Sequence, residues 1–214
     1  MKKQTINIKH LIHEDFVNYK KPSMFIGMGT CDWKCCKEGG FDNSICQNSA
    51  LAQSSNIEID LIGLVDDYMS NYITESVVIG GLEPFTDFET LLRIVQEFRQ
   101  HTNDDIVIYT GYYAREIIDQ LIVLSDYDNI ILKFGRYVPN DEQEKLDPVL
   151  GVKLSSSNQF GAKLVKGSSD ILEAIKQNEC YCPCFIAKND KTRCCCHAFK
   201  NSSEGKCHCG AFEK

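Results

Sequence analysis

Apolar positions along the chain alternate between two periods. MFIGMG (24–29) is a short apolar run closing on glycine, and SVVIGG (76–81), IVIYTG (106–111) and NIILKFG (129–135) repeat that form, which predicts four strands. Between them the period becomes helical. Residues 59–73 place Ile59, Ile62, Val65, Met69 and Ile73 at helical spacing. Residues 88–100 carry Phe88, Leu91, Leu92, Val95 and Phe98 on one face, and residues 113–124 carry a stripe of Ile117, Leu121 and Leu124. Past residue 135 the pattern weakens. KLSSSNQFGAKL predicts a further strand and turn, and KGSSDILEAIKQN a short helix with Ser169 as its N-cap and Ile171, Leu172 and Ile175 facing inward.

Strands alternating with helices of this length predict an α/β fold with a parallel sheet and right-handed crossovers. Ligands of such sheets bind at the C-terminal ends of the strands. The chain's first cysteines begin two residues after its first predicted strand, where a cofactor would sit. A boundary near 166–170 divides the chain into an α/β domain, 1–167, and a small cysteine-rich helical and loop domain, 168–214.

Composition narrows the function classes. Of 214 residues 43% are hydrophobic, enough for a real core, and the net charge of −7 argues against a nucleic-acid surface, which needs clustered Lys and Arg. No segment approaches the length of a membrane span. The opening MKKQTINIKHLIHEDF lacks the apolar run of a signal peptide, so a cytoplasmic protein is expected, without membrane or nucleic-acid partners. In a reducing compartment twelve cysteines point to metal or redox chemistry rather than structural disulfides. They fall at 31, 35, 36 and 46, and then at eight positions within 180–209, with none between 47 and 179. Two tight groups predict two separate sites.

In GTCDWKCCKEGGFDNSICQN, Cys31 and Cys35 stand at C-x3-C spacing and Cys46 follows the apolar Ile45. Three thiolates on one loop suit three irons of a 4Fe–4S cluster, leaving the fourth iron open for catalysis. A zinc knuckle with Cys36 as fourth ligand is the alternative, and both Cys35 and Cys36 are candidates for the second ligand. Gly80, Gly81 and Gly111 also read as plain turn glycines, Trp33 as a residue packed over the loop, and Asn158 and Gln159 as polar turn residues.

The loop resembles the radical S-adenosylmethionine (SAM) signature C-x3-C-x-Φ-C, with about eight extra residues before the third cysteine. Cys35 is favoured over Cys36 as the second ligand because it keeps the first interval of that signature. HEDFVNYKKPSMFIGMGTC is similar to the segment that leads into this loop in glycyl-radical activating enzymes. GGLEPF resembles the family's GGEP turn with Leu82 inserted. YTGY (109–112), FGRY (134–137) and SSSNQ (155–159) are similar to segments of the activating enzyme of anaerobic (class III) ribonucleotide reductase, with Phe134 where that pattern has an acidic residue. The resemblance spans about residues 14–160. It implies an incomplete radical SAM (β/α) barrel, a cluster on Cys31, Cys35 and Cys46, and SAM contacts from Gly80, Gly81, Glu83, Thr110, Gly111 and Asn158. The implied reaction cleaves SAM to a 5′-deoxyadenosyl radical that installs a glycyl radical on the large subunit of the reductase, with a ferredoxin or flavodoxin as electron donor.

The tail, CYCPCFIAKNDKTRCCCHAFKNSSEGKCHCGAF, holds three C-x-C pairs: Cys182 with Cys184, Cys194 with Cys196, and Cys207 with Cys209. One cluster needs four thiolates, so two would remain beside it. The tail resembles the catalytic subunit of ferredoxin–thioredoxin reductase, with Cys195 replacing the proline of the middle pair and a shorter first gap. The resemblance implies a second 4Fe–4S cluster on Cys182, Cys194, Cys196 and Cys207. It also implies a redox-active disulfide between Cys184 and Cys209, His208 as proton donor, and a thioredoxin-like protein as a further partner. A structural zinc or iron–sulfur tail, with His208 a solvated loop residue, is the alternative. For the whole chain, the rivals are a ferredoxin-dependent disulfide reductase with the N-terminal cluster as electron relay, and a non-catalytic zinc-binding interaction module.

Overall fold

A computed structural model describes residues 5–214. Strands β1 (Thr5–Asp15) and β2 (Ser23–Met28) lead into a cysteine-bearing loop with two short helices, α1 (Lys34–Gly39) and α2 (Ser49–Gln53). Strand β3 (Ile57–Asp60) runs directly into α3 (Leu61–Ser70). Then β4 (Ser76–Gly81), α4 (Phe88–His101), β5 (Asp105–Tyr109), α5 (Ile118–Leu124) and β6 (Ile130–Phe134) alternate. Strand β7 (Phe160–Leu164), α6 (Ser169–Gln177), α7 (His197–Lys200) and β8 (Phe212–Glu213) complete the described elements.

All eight strands form one mixed sheet in the order β3-β1-β2-β4-β5-β6-β7-β8. The four expected strands are its centre, β2, β4, β5 and β6, and they pair in parallel. The flanking pairs are antiparallel. The parallel sheet expected from the sequence is therefore only the middle of a mixed one. The connection from β1 to β2 is too short for a crossover, so those strands must run antiparallel. The sheet is an open one, with β3 and β8 at its edges.

Two apolar layers cover it. On one face Val77, Ile79, Ile106, Ile108, Ile130 and Leu132 pack with Leu64, Leu91, Phe98, Leu121 and Leu172 of the helices. On the other, Val78, Val107 and Ile131 meet Tyr19, Val149, Leu150 and Leu154 from loops. Burial on both faces explains why the central strands read as continuous apolar runs.

Three local expectations change. Strands β1 and β3 were absent from the periodicity reading; β3 takes Ile59 out of the expected 59–73 helix. The buried face of α3 is Leu61, Leu64, Val65 and Tyr68, an i, i+3, i+4, i+7 set, while Met69 and Ile73 are exposed. In α6, Ser168 holds the N-cap position and Ser169 is the first helical residue.

The cysteine-rich tail is fastened to the body by its last strand. Leu164 pairs with Phe212 and Lys163 with Glu213. The Phe212 ring lies edge-on to Phe134 at 5.9 Å and against Phe199 at 6.3 Å, and is 1% exposed. Among the described residues, no helix is long and apolar enough to cross a membrane.

Because Phe212 belongs to the main core, Phe212→Ala should lower the stability of the whole chain by about 3–5 kcal/mol. Denaturant unfolding followed through the far-ultraviolet signal of the helices checks this. A loss confined to the tail, with α3–α5 unfolding as in the unaltered protein, is the contrary result.

Candidate functional site

Parallel pairing brings the C-terminal ends of β4, β5 and β6 level, since Ile79 pairs with Ile108 and Ile108 with Leu132. The turns that follow place Gly81, Thr110, Gly111 and Gly135 on one edge of the sheet. The loop carrying Cys31, Cys35, Cys36 and Cys46 folds over that edge and borders a cavity of about 640 Å³, counting the space at its mouth, which these residues line. Glycine is required at two points. Gly81 has φ +76°, and a Cβ there would lie 2.7 Å from Leu51 and 3.2 Å from the Gly27 backbone. A Cβ on Gly111 would lie 2.6 Å from the Cys35 sulfur.

Glu83 ties the turns together. Its carboxylate accepts from the Thr110 hydroxyl at 2.7 Å, the Gly111 amide at 2.8 Å and the Phe85 amide at 3.2 Å. Its own amide donates to the Thr30 carbonyl at 2.9 Å, which draws in the start of the cysteine loop. Burial pushes the Glu83 carboxyl up to about 7, against those three hydrogen bonds and the nearby Lys133 ammonium, which hold it down. Lys133 is buried and lines the same cavity; burial lowers it to about 8, opposed by Glu83 and Cys35.

The loop thiols sit where a lone thiolate is poorly solvated. Burial raises Cys31 to about 12 and Cys36 to about 11, and it raises Cys35 as well. The neighbouring Cys46 thiol adds to the rise at Cys36. A cation bound among them would supply the missing solvation, so the donor set fits an iron–sulfur group. Among the described residues no three His, Cys, Asp or Glu side chains are drawn together as a preformed metal-ion site.

Gly80, against Tyr109 within β4, does not line the cavity, and Asn158 lies apart from Gly81, Glu83, Thr110 and Gly111. Its amide nitrogen donates to the Tyr113 hydroxyl at 3.0 Å in a neighbouring cleft. The next residue, Gln159, lines the cavity instead and donates to the Gly135 carbonyl at 3.2 Å. The sequence reading also passed over Arg136. It binds Glu116 at 2.6 Å and Glu38 at 2.9 Å, donates to the Gly111 carbonyl, and lies over the Tyr112 and Tyr113 rings. It braces Gly111 through that carbonyl.

In the tail, Cys182, Cys194, Cys195, Cys196 and Cys207 are buried, Cys180 and Cys209 half-buried, and Cys184 exposed. The Cys207 and Cys209 sulfurs are 3.4 Å apart. The hydrogen bond from Cys209 lowers the Cys207 thiol to about 6, aided by the backbone amides of Phe212, Gly210 and Ala211; that of Phe212 lies 3.1 Å from the sulfur. Cys209 is raised in turn, first by the same hydrogen bond. Cys184 sits against Cys182. His208 stacks on Phe185 with ring centroids 6.0 Å apart, which joins the chain beside Cys184 to the chain beside Cys209. All twelve cysteines are free thiols.

A family model described as a 4Fe-4S single cluster domain matches residues 24–160. That span runs from β2 to the start of β7 and contains the first cysteine group and its cavity. No curated protein matches the chain, and no solved structure does.

Two variants probe the cavity. Gly111→Ala should displace Cys35 and lower the iron retained by the anaerobically isolated protein, read by iron and sulfide analysis, with little change in helix content. Glu83→Gln tests the buried carboxyl in iron-free protein. The folded value near 7 lies above the unfolded value near 4.3, so the folded state holds a proton that the unfolded state has released. Stability of the unaltered protein therefore falls as pH rises from about 4.3 to 7, by up to about 3 kcal/mol. The variant lacks that slope, and losing the charge beside Lys133 acts in the same direction. Its melting temperature relative to the unaltered protein should climb between pH 5 and pH 7.5.

Proposed function

The chain belongs to the 4Fe-4S single cluster domain family and is an iron–sulfur protein, and from that premise we propose that it is a radical SAM enzyme whose open sheet serves as an incomplete (β/α) barrel. One observation carries this reading: four cysteines share a single cavity with the glycine turns at the C-terminal ends of three parallel strands. Cys31, Cys35 and Cys46 are the proposed ligands, and Cys36, buried in α1 against Cys46, is the spare thiol. When bound, a cluster with one open iron supplies the electron that cleaves the SAM sulfonium.

The chain's own residues hold and orient. The Gly80–Gly81 turn lets the backbone approach the cofactor's amino acid moiety, and Glu83 accepts from its amino group. Thr110 and Gly111 act through Glu83, whose carboxylate they fix. Lys133 supplies positive charge near Cys35 and compensates part of the thiolate charge. The proposed target is a backbone glycine of an anaerobic ribonucleotide reductase large subunit, with a ferredoxin or flavodoxin as electron donor.

The tail, residues 168–214, is proposed as a second functional unit. Cys182, Cys194, Cys196 and Cys207 would hold a second 4Fe–4S cluster, Cys184 and Cys209 would be the exchanging pair, and His208 would move the proton between them. The exposure of Cys184 beside buried thiols supports this, because a nucleophilic sulfur must reach its target disulfide. The same exposure favours the second reading, a ferredoxin-dependent disulfide reductase acting on a thioredoxin-like protein.

Anaerobic iron and sulfide counting with electron paramagnetic resonance tests the scheme. The full chain should carry about eight irons, and a Cys31→Ala, Cys35→Ala, Cys46→Ala variant about four. On reduction with SAM present, 5′-deoxyadenosine should form with the full chain and not with the variant. Its absence from fully loaded protein leaves the disulfide reductase, and zinc without iron leaves neither enzyme. A Cys184→Ser, Cys209→Ser variant should still form 5′-deoxyadenosine but lose thiol-dependent turnover of the partner.

A further inference from the structure

The net charge is −7, yet one cleft is lined by cations. Its floor comes from the sheet body, with Tyr113, Arg115 and Asn158. Its roof comes from the tail, with Arg193, His197 and Lys200. It encloses about 1310 Å³, counting the space at its mouth. Its one acid, Asp190, pairs with Arg193. Among the described residues Arg115 and Lys200 have no carboxylate partner. The Arg115 guanidinium lies 4.6 Å from the Tyr113 ring centroid, and the Lys200 ammonium 5.4 Å from the Tyr113 and Phe160 rings.

Two amide side chains add a second signature. The Asn158 oxygen is buried without a hydrogen-bond partner among the described residues, and so is that of Gln159, a residue only 3% exposed. A buried acceptor left unpaired costs about 1–3 kcal/mol, so the cleft favours a ligand that brings donors as well as negative charge. A DNA phosphodiester backbone brings charge without donors. A polypeptide brings both: backbone N–H groups for Asn158 and Gln159, and carboxylates for Arg115 and Lys200.

We infer that this cleft between the sheet body and the cysteine-rich tail binds an extended acidic polypeptide segment of a partner protein. Gln159 lines both the cleft and the cavity beside Cys31 and Cys35, so a segment seated here runs on toward that cavity. The inference stands whether or not SAM is cleaved there.

The test uses the full chain, isolated anaerobically with its iron, and fluorescein-labelled, end-blocked peptides of four Gly-Glu, four Gly-Gln or four Gly-Lys repeats, read by fluorescence anisotropy. No SAM or reductant is added, so the outcome is independent of the radical reading. The Gly-Glu peptide should bind about tenfold tighter than the Gly-Gln peptide. Arg115→Gln with Lys200→Gln should erase that preference while the protein stays folded, since neither residue makes an ion pair and only their contacts with the Tyr113 and Phe160 rings are lost. Lys200→Glu should shift preference toward the Gly-Lys peptide. Lys166→Gln, on a lysine paired with Asp128 away from the cleft, should change nothing. Equal binding of the Gly-Glu and Gly-Gln peptides would overturn the inference. So would an unchanged preference in the double variant, or displacement by an oligothymidylate of the same length at equal affinity, which would make this a nucleic-acid site.

Discussion

Glu83 is a fully enclosed carboxylate that accepts from a hydroxyl and two backbone amides belonging to two different strand ends. The turn after β4 and the turn after β5 thereby share one polar centre. Cys35 rests on Gly111, whose amide that centre holds and whose carbonyl Arg136 holds. The position of the cysteine loop follows from this, because Thr30, one residue before Cys31, is bonded to the Glu83 amide. A buried network of this kind is stable only when every member is satisfied, so the site's geometry is set by the sheet rather than by the loop that bears the ligands.

The sheet in turn depends on its last strand. A parallel core of four strands has two unpaired edges, and each must be covered. Strands β1 and β3 cover one. Strands β7 and β8 cover the other, and β8 arrives only after the whole cysteine-rich tail has been laid down. Phe212 fills the space against Phe134 and Phe199, so the tail is packed into the body's core while presenting its own thiols. The cleft with Arg115 and Lys200 is a product of that return: one wall belongs to each part of the chain.

Much of this was legible in the residues. The central strands announced themselves because both their faces are buried, and the glycine turns because each follows such a run. β1 was not, since its start, TINI, alternates over a few residues and the histidines and acids that follow hide the period. β3 was lost because Ile59 also fits the helical spacing of α3. Asn158 and Gln159 are adjacent and chemically alike, and only the backbone direction entering β7 decides which one faces the cavity. Lys133 carried an unused signal: a lysine in an otherwise apolar, central parallel strand, one residue from its C-terminal end, has little access to water and so belongs to the ligand edge. Arg136 had no local signature, because its partners Glu38 and Glu116 come from distant parts of the chain.

The two cysteine groups differ in how the protein treats negative charge on sulfur. Around Cys31, Cys35 and Cys36 the dominant effect is burial, which raises all three thiols, while Glu83 adds charge of the wrong sign for Cys31 and Cys35. The cavity therefore favours neutral thiols until a cationic group enters, and loading it must displace protons. Around Cys207 the backbone turns at Gly210, φ +83°, and three successive amides at 210–212 favour the charged sulfur before anything binds. The tail thus favours negative charge on Cys207, the sulfur expected there to bind metal, and holds it off the neighbouring Cys209. The strand-end cavity instead reserves its charge for the group it is built to receive.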